Sequence, residues 1–470
     1  MPVNQQHFKE SFTKHFSFTP TSDQQKAIHE LSEFCCNNKE VFILKGYAGT
    51  GKTLIISALS KTLPEYKFKS ILLAPTGKAA KVISSYSKKN AQTIHKKIYK
   101  KTMNPDGFIS FSLGENLHKN TVFIIDEASM ITDSISDLSG SSVLNDLFEY
   151  VFSGTNCKII FVGDTAQLPP VGSEFSPALS EKYLTLKLHS EITCVQLTHV
   201  MRQNLESGIL LNATQLRIQL LTDPFKFPMF ELKKDVVKVD NTDLEDLLNS
   251  AYSKYGFENV LVITRSNKRA NSYNQQIRKR IKWQENNLSS GDLVMAVKNN
   301  YFWAEDVEQL DFIANGESLC IDKIKKTKEA YGFKFAEAVI SFTDFEEVPQ
   351  LEVNLLLDTL DSETASLSFE QLKKMGDSIK KELLESGENP GYGFLKKNQF
   401  YNALQIKFSY AITCHKAQGG QWDCVFVDLG YFKEDMLNES FYRWLYTAFT
   451  RAKEKVYLIG FTNDFFSNRN

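Results

Sequence analysis

The sequence predicts an α/β protein with two parallel-sheet cores, the second interrupted by a β-rich insertion. Three observations carry this. Between Val41 and Val162, short apolar runs (VFILKG, ILLAPT, VFIIDE, IIFVGD) each end in Gly, Pro or Asp. Bounded β-branched runs of this kind are buried strands, and the turn residues mark where the chain leaves the sheet. A second set, NVLVIT at 259–264, CVFVDL at 424–429 and the run 456–461, repeats the pattern with helical stretches between. The gap inside that set holds GDLVMAV, ESLCIDKI and FAEAVISF, which alternate like short antiparallel strands, followed by the amphipathic EQLKKMGDSIKKELLESG.

Within the first core the alternation lapses over 84–120 into a basic, turn-rich stretch that reads as an insertion. The length, 470 residues, suits roughly three compact units. Lys+Arg 55 against Asp+Glu 56 excludes a globally basic nucleic-acid coat and leaves room only for a local basic groove. The amino terminus, MPVNQQHFKESF, lacks the pattern of a signal peptide, and no apolar run approaches the ~18 residues of a membrane span; a cytoplasmic protein with no membrane partner is expected. Seven cysteines without a CxxC pair read as reduced thiols rather than metal ligands.

In doubly wound sheets, ligands sit at the carboxyl ends of the strands, so the residues after each run come next. Gly46–Thr53, GYAGTGKT, satisfies GxxxxGK[ST] between a strand and a helix. Gly49 and Gly51 let the backbone wrap phosphates, Gly46, Ala48 and Thr50 complete the loop, Lys52 neutralises β/γ-phosphate charge, and the Thr53 hydroxyl can ligate Mg²⁺. FIIDEAS offers Asp126 to hold Mg²⁺ through water and Glu127 as base toward the attacking water. Alone, DE after a strand is equally a solvated turn; its pairing with a phosphate loop gives it weight. FVGDTAQLPP adds Asp164 and Gln167, the latter able to sense a γ-phosphate without carrying charge. An NTPase follows, its class still open.

Taken in order, PTSDQQKAI, GYAGTGKT, APTGKAAKVI, TIHK, FIIDEASM, FVGDTAQLPPVG, LTHVMRQ, AITCHKAQGGQW and LYTAFTRAKEKVYLIG resemble the helicase motifs of superfamily 1, in the RecD/Dda-like variant whose members move 5′ to 3′ on single-stranded DNA. The resemblance implies two RecA-like domains: 1–83 with 121–190, and 191–290 with 400–470. It also implies a β-hairpin pin over 84–120 and an SH3-like module with a helical extension over 291–399. Gln24 would read the adenine edge, and Arg202 and Arg451 would reach the γ-phosphate from the second domain. Met201 stands where many relatives place an adenine-stacking aromatic.

The resemblance further assigns a DNA track to Pro75, Thr76 and Lys78, to Thr93 and His95, and to Thr413, His415, Lys416 and Gln418. Phe108 and Phe111 become pin aromatics, with Asn300 and Tyr301 as contacts on the SH3-like module. The implied activity is an ATP- and Mg²⁺-dependent DNA helicase acting as a monomer on single-stranded and forked DNA. An RNA helicase, or a non-unwinding subunit of a repair or nuclease complex, is the alternative. The acidic segment 351–390 is expected to be an arm or a face for a partner protein.

Overall fold

The computed structural model describes residues 4–16, 18–103, 109–135, 140–200, 207–222, 225–240, 242–305, 307, 310, 312–345, 347–364, 366–391 and 393–466; for 101–103 and 109–111 it describes the backbone alone. The first core uses strands β1 (Val41–Gly46), β2 (Lys69–Ala74), β3 (Ala91–Thr93), β6 (Lys119–Ile125), β7 (Thr155–Gly163) and β8 (Thr193–Leu197). A two-stranded hairpin, β4 (Tyr99–Met103) and β5 (Ile109–Leu113), interrupts them. The sheet is entirely parallel, in the order β3-β2-β6-β7-β1-β8.

The period-2 geometry of a strand explains why the runs are apolar throughout. Phe42 and Leu44 of β1, with Val122 and Ile124 of β6, pack on one face against the helices Ser22–Cys36 and Lys52–Thr62. Val41 and Ile43, with Phe123 and Ile125, pack on the other face against the helix Val143–Phe152. Each such side chain contributes about 1.5–3 kcal/mol by burial, and the polar residues of these strands, Lys45 and Lys119–Thr121, fall at their ends.

The second core is also parallel. It is built from β9 (Val236–Val239), β10 (Val260–Thr264), β16 (Ala411–Thr413), β17 (Trp422–Asp428) and β18 (Ala452–Ile459), in the order β16-β10-β17-β18-β9. Between β10 and β16 a closed barrel forms from β11 (Leu293–Ala296), β12 (Ser318–Ala330), β13 (Phe333–Phe342), β14 (Leu351–Leu356) and β15 (Leu404–Phe408). Arg278 roots it: the guanidinium meets Asp292 at 2.9 Å, both side chains are buried, and the Tyr410 hydroxyl donates to the same carboxylate at 2.9 Å.

Three expected boundaries move. β8 pairs with β1, so the first core runs through Leu197 rather than ending at 190. The helix Gly77–Ser87 and strand β3 belong to that core, which narrows the inserted hairpin from 84–120 to Tyr99–Leu113. The barrel closes only with β15, so the insertion extends past 399. For the same reason 351–390 is not one arm. β14 is a barrel strand, while the helix Phe369–Glu385 lays Met375 and Ile379 on Phe333, Phe335 and Leu356. Among the described residues no helix is long and apolar enough to cross a membrane, and all seven cysteines are free.

Candidate nucleotide and strand-binding site

The order of the first sheet lays out the site. β6, β7 and β1 are neighbours, so Asp126–Glu127, Asp164–Gln167 and the loop 46–53 leave its carboxyl edge side by side. Thr76 follows β2 and Thr93 ends β3, which places the track candidates along the same edge, beyond the carboxylates.

In the loop, Gly49 and Gly51 have φ of 75° and 90°, a region that costs a side chain dearly. Lys52 Nζ donates to the Gly46 and Tyr47 carbonyls at 2.5 and 3.2 Å. Gln24 is buried. Its Oε1 accepts from Thr21 N and its Nε2 donates to Thr50 O at 3.0 Å, so in this state its amide braces the loop. Asp126 accepts from the Tyr86 hydroxyl at 2.7 Å and from Glu127 N at 2.9 Å. Burial, with the Glu127 charge beside it, pushes its carboxyl above the usual carboxylate range. Glu127 itself sits at φ 50°, a strained backbone of the kind that clusters at functional sites, and its Oε2 is buried without a hydrogen-bond partner. Gln167 Oε1 is a second orphaned acceptor.

The second core meets this edge through the helix Glu439–Phe449. The Tyr446 hydroxyl accepts from Ala48 N at 2.8 Å and donates to Asp164 Oδ2. Asp164 also accepts from Ala166 N at 2.9 Å, and burial raises its pKa. Arg443 donates to the Thr165 carbonyl, and to Gln167 O at 3.1 Å. Leu168 N donates to Thr447 Oγ1 at 2.9 Å. Gln418 Nε2 donates to Leu168 O at 2.7 Å; buried and committed there, Gln418 is a bridge between domains rather than an exposed strand contact. Arg443, Tyr446, Thr447 and Thr450 are spaced i, i+3, i+4 and i+7, a helical-face signal that could have singled out Arg443. Tyr86 carries no such signal.

Arg451 is buried, and its guanidinium donates to Thr447 O, Gly420 O and Thr450 Oγ1, each at 3.2 Å. These partners all lie in the second core; the residue of this segment that touches the phosphate loop is Tyr446. Arg202 and Met201 lie outside the described residues, as do Phe108 and the side chain of Phe111.

The track candidates divide. Thr76 and Thr93 cap helices, accepting from Ala79 N and Lys96 N, and Pro75 is half-buried beside Thr76. Thr413 ends β16, His415 is exposed, and burial lowers the pKa of Lys416. Lys78 lies over the Trp422 ring at 4.7 Å with its pKa lowered by burial, while Asp344 and Glu317 of the barrel attract it. Lys81 Nζ donates to Thr343 O at 2.6 Å, and a Cβ on Gly77 would stand 2.6 Å from the Phe345 ring. His95 packs edge-on against Phe312, ring centroids 6.0 Å apart. The barrel therefore sits directly on Lys78 and His95. Asn300 is spent internally: its Nδ2 donates to Asn402 O at 2.8 Å and its Oδ1 accepts from Trp303 N. Tyr301 packs on Phe312 at 5.1 Å.

Two families match the chain: an AAA domain over residues 20–219 and a UvrD-like helicase C-terminal domain over 408–459. An uncharacterized protein of Acanthamoeba polyphaga mimivirus is 26% identical over 520 residues, covering 92% of this chain and 98% of that one. The ATP-dependent DNA helicase dda of Enterobacteria phage T4 is 29% identical over 189 residues, 39% of this chain and 40% of the helicase. The ATP-dependent RecD2 DNA helicase of Deinococcus radiodurans is 29% identical over 168 residues, 36% of this chain and 20% of that one. Among solved structures, Bacteroides Pif1 bound to ssDNA aligns over 96% of this chain and 95% of its own, at 15% identity and a TM-score of 0.48.

Proposed function

We infer that this chain, a member of the superfamily 1 helicases by its AAA and UvrD-like C-terminal domains, is an ATP-dependent DNA helicase that moves along single-stranded DNA 5′ to 3′ and separates forked duplexes. The observation that carries the reading is the grip of one helix of the second core on the nucleotide edge of the first. Tyr446, Arg443 and Thr447 hold Ala48 and the stretch Asp164–Leu168. Any change at the phosphate loop is thereby felt across the cleft, as a motor requires.

ATP entering the loop would draw Lys52 away from the Gly46 and Tyr47 carbonyls toward phosphate oxygens. Thr53, Asp126 and Glu127 present only oxygen donors, one of them an orphaned buried carboxylate oxygen, which suits a hard cation such as Mg²⁺. When bound, that cation would neutralise phosphate charge. Glu127, strained and unpartnered, is placed to take a proton from water, with Gln167 beside it to hold the phosphate edge. Arg451 and Arg202 are assigned to transition-state charge; for Arg451 this requires release from Thr447 and Gly420 as the domains close. Strand contacts fall to Pro75, Thr76, Lys78, Thr93 and His95 on one domain and to Thr413, His415 and Lys416 on the other. The pin lies at Tyr99–Leu113, and free thiols fit a cytoplasmic setting.

The test is unwinding of matched 5′-tailed and 3′-tailed duplexes with ATP, alongside hydrolysis stimulated by oligo-dT or oligo-U. Strand separation confined to the 5′-tailed substrate, with stimulation by oligo-dT, is expected. Hydrolysis stimulated only by oligo-U would shift the reading to RNA, and no separation of either substrate would leave a nucleotide-driven subunit.

A further inference from the structure

We propose that the pocket between the barrel and its helical extension is a second single-strand subsite, one that stacks a nucleobase and holds its phosphates on lysines; the proposal rests on the helicase reading above. The pocket encloses about 740 Å³, within the ~300–1,000 Å³ range of small-ligand sites. One wall is the loop 298–305 that follows β11, the other the turn 396–403 that precedes β15.

The two walls are bolted together by Asn402. Its carbonyl accepts from Asn300 Nδ2 at 2.8 Å and from Trp303 Nε1 at 2.9 Å. Its side-chain amide donates to the carbonyls of Leu395, Lys396 and Asn398 at 2.8–3.0 Å. A site pre-formed in this way loses little conformational entropy on binding. The fully used amide of Asn300, which disqualifies that residue as a direct contact, is what shapes the pocket.

The lining has the two components that sequence-tolerant single-strand sites combine, aromatic faces and cations. Tyr301, Phe302 and Tyr401 are half-buried in the walls, leaving ring surface toward the cavity. Lys298, Lys396 and Lys397 are exposed at its rim, with Glu305 the sole acidic residue among the described lining residues. Among the described lining, three lysines stand against one carboxylate, in a chain of net charge −1. Lys298 and Lys397 make no salt bridge among those found for the described residues. Phosphates of a single strand would match the two rim lysines outside those bridges, Lys298 and Lys397.

The pocket is also continuous with the motor. Tyr301 packs on Phe312, which packs on His95 at the edge where β3 ends, so a strand leaving that edge passes from one aromatic surface to the next.

The experiment uses the full chain and two readouts. The first is photo-crosslinking to oligo-dT carrying 5-iodo-deoxyuridine, with adducts mapped by mass spectrometry. Adducts on peptides spanning 298–305 or 396–403 are expected, and adducts confined to other segments would overturn the proposal. The second is salt-dependent binding of oligo-dT to K298A/K397A and to Y401A, with the thermal midpoint as the folding control. The lysine pair should lower the salt slope by about 1.4, at ~0.7 per phosphate contact. Y401A should weaken binding roughly 5- to 150-fold, the loss of one stacked base. Variants that keep the wild-type affinity and slope would refute the subsite while leaving the helicase reading intact. A wild-type chain that does not bind oligo-dT at all would instead remove the helicase reading on which the subsite rests.

Discussion

The hydroxyl of Tyr446 accepts from the phosphate loop and donates to a buried carboxylate, and both partners are far away in sequence, 398 and 282 residues. Losing it strands Asp164, whose ionised form burial already disfavours. Tyr446→Phe keeps the packing of a fully buried ring and removes only those two bonds. Global stability should fall by about 1–3 kcal/mol, the cost of leaving a buried polar group short of its partner. If the hydroxyl also transmits loop occupancy, strand-stimulated hydrolysis should drop by roughly tenfold or more while ATP affinity stays within a few-fold. Steady-state kinetics with nucleotide binding by titration separates the two effects. An equal change in KM and kcat, or none in either, would reduce Tyr446 to a packing residue. The phosphate loop was legible in the sequence because its chemistry is local: glycines, lysine and threonine act within eight residues. Tyr446 carries no such local chemistry, because its role exists only once two domains are side by side. Arg451 shows the converse. A motif places it at the γ-phosphate, while in this state each of its three guanidinium nitrogens donates to a partner in its own domain.

At the scale of elements, the strands were legible because parallel strands buried on both faces leave apolar runs that nothing else explains. Their membership was less so. β8 and β15 read as parts of the second core, and each pairs elsewhere because register, not sequence proximity, decides a sheet. The seat of the barrel on the helix Gly77–Ser87 left no trace in the sequence, since it joins Glu317 and Asp344 to Lys78 over more than two hundred residues. That seat carries a pH dependence. Burial, aided by the Asp344 charge and opposed by Lys78, pushes the Glu317 carboxyl up from 4.5 to about 8, and its Oε2 has no hydrogen-bond partner. Asp344 is raised in the same way, and Lys81 faces it from the same helix. A folded value above the unfolded one means that the favourable contribution is complete below 4.5 and is lost as pH rises through about 8. Glu317→Gln fixes the neutral form. Between pH 6.5 and 9 the wild-type thermal midpoint should fall more than that of the variant, by roughly one degree for each kcal/mol involved in a chain of this length. Parallel curves would mean that Glu317 is already relieved by solvent.

For the whole molecule, the consequence is a gate. The barrel is rooted on the second core through Arg278 and Asp292, yet it rests on the first through Lys78, Lys81, Gly77 and His95. Two of those first-core residues, Lys78 and His95, are candidates for the strand track. A single strand cannot take Lys78 while Glu317, Asp344 and Trp422 surround it, so binding at that residue requires the barrel to lift. A protein whose competent state is only fractionally populated binds in two steps, with an apparent affinity lowered by that fraction. Stopped-flow mixing with fluorescent oligo-dT should therefore give an observed rate that rises with DNA and then levels off at the rate of barrel opening. Lys81→Ala, which removes the donor to Thr343 O without touching the barrel's root, should raise that plateau. It should also leave the salt dependence of the initial slope nearly unchanged, because Lys81 is occupied by the barrel rather than by phosphate. A rate that stays linear in DNA, with a slope of about 10⁸ M⁻¹ s⁻¹, would mean that the strand enters without the barrel moving, along a path that avoids Lys78.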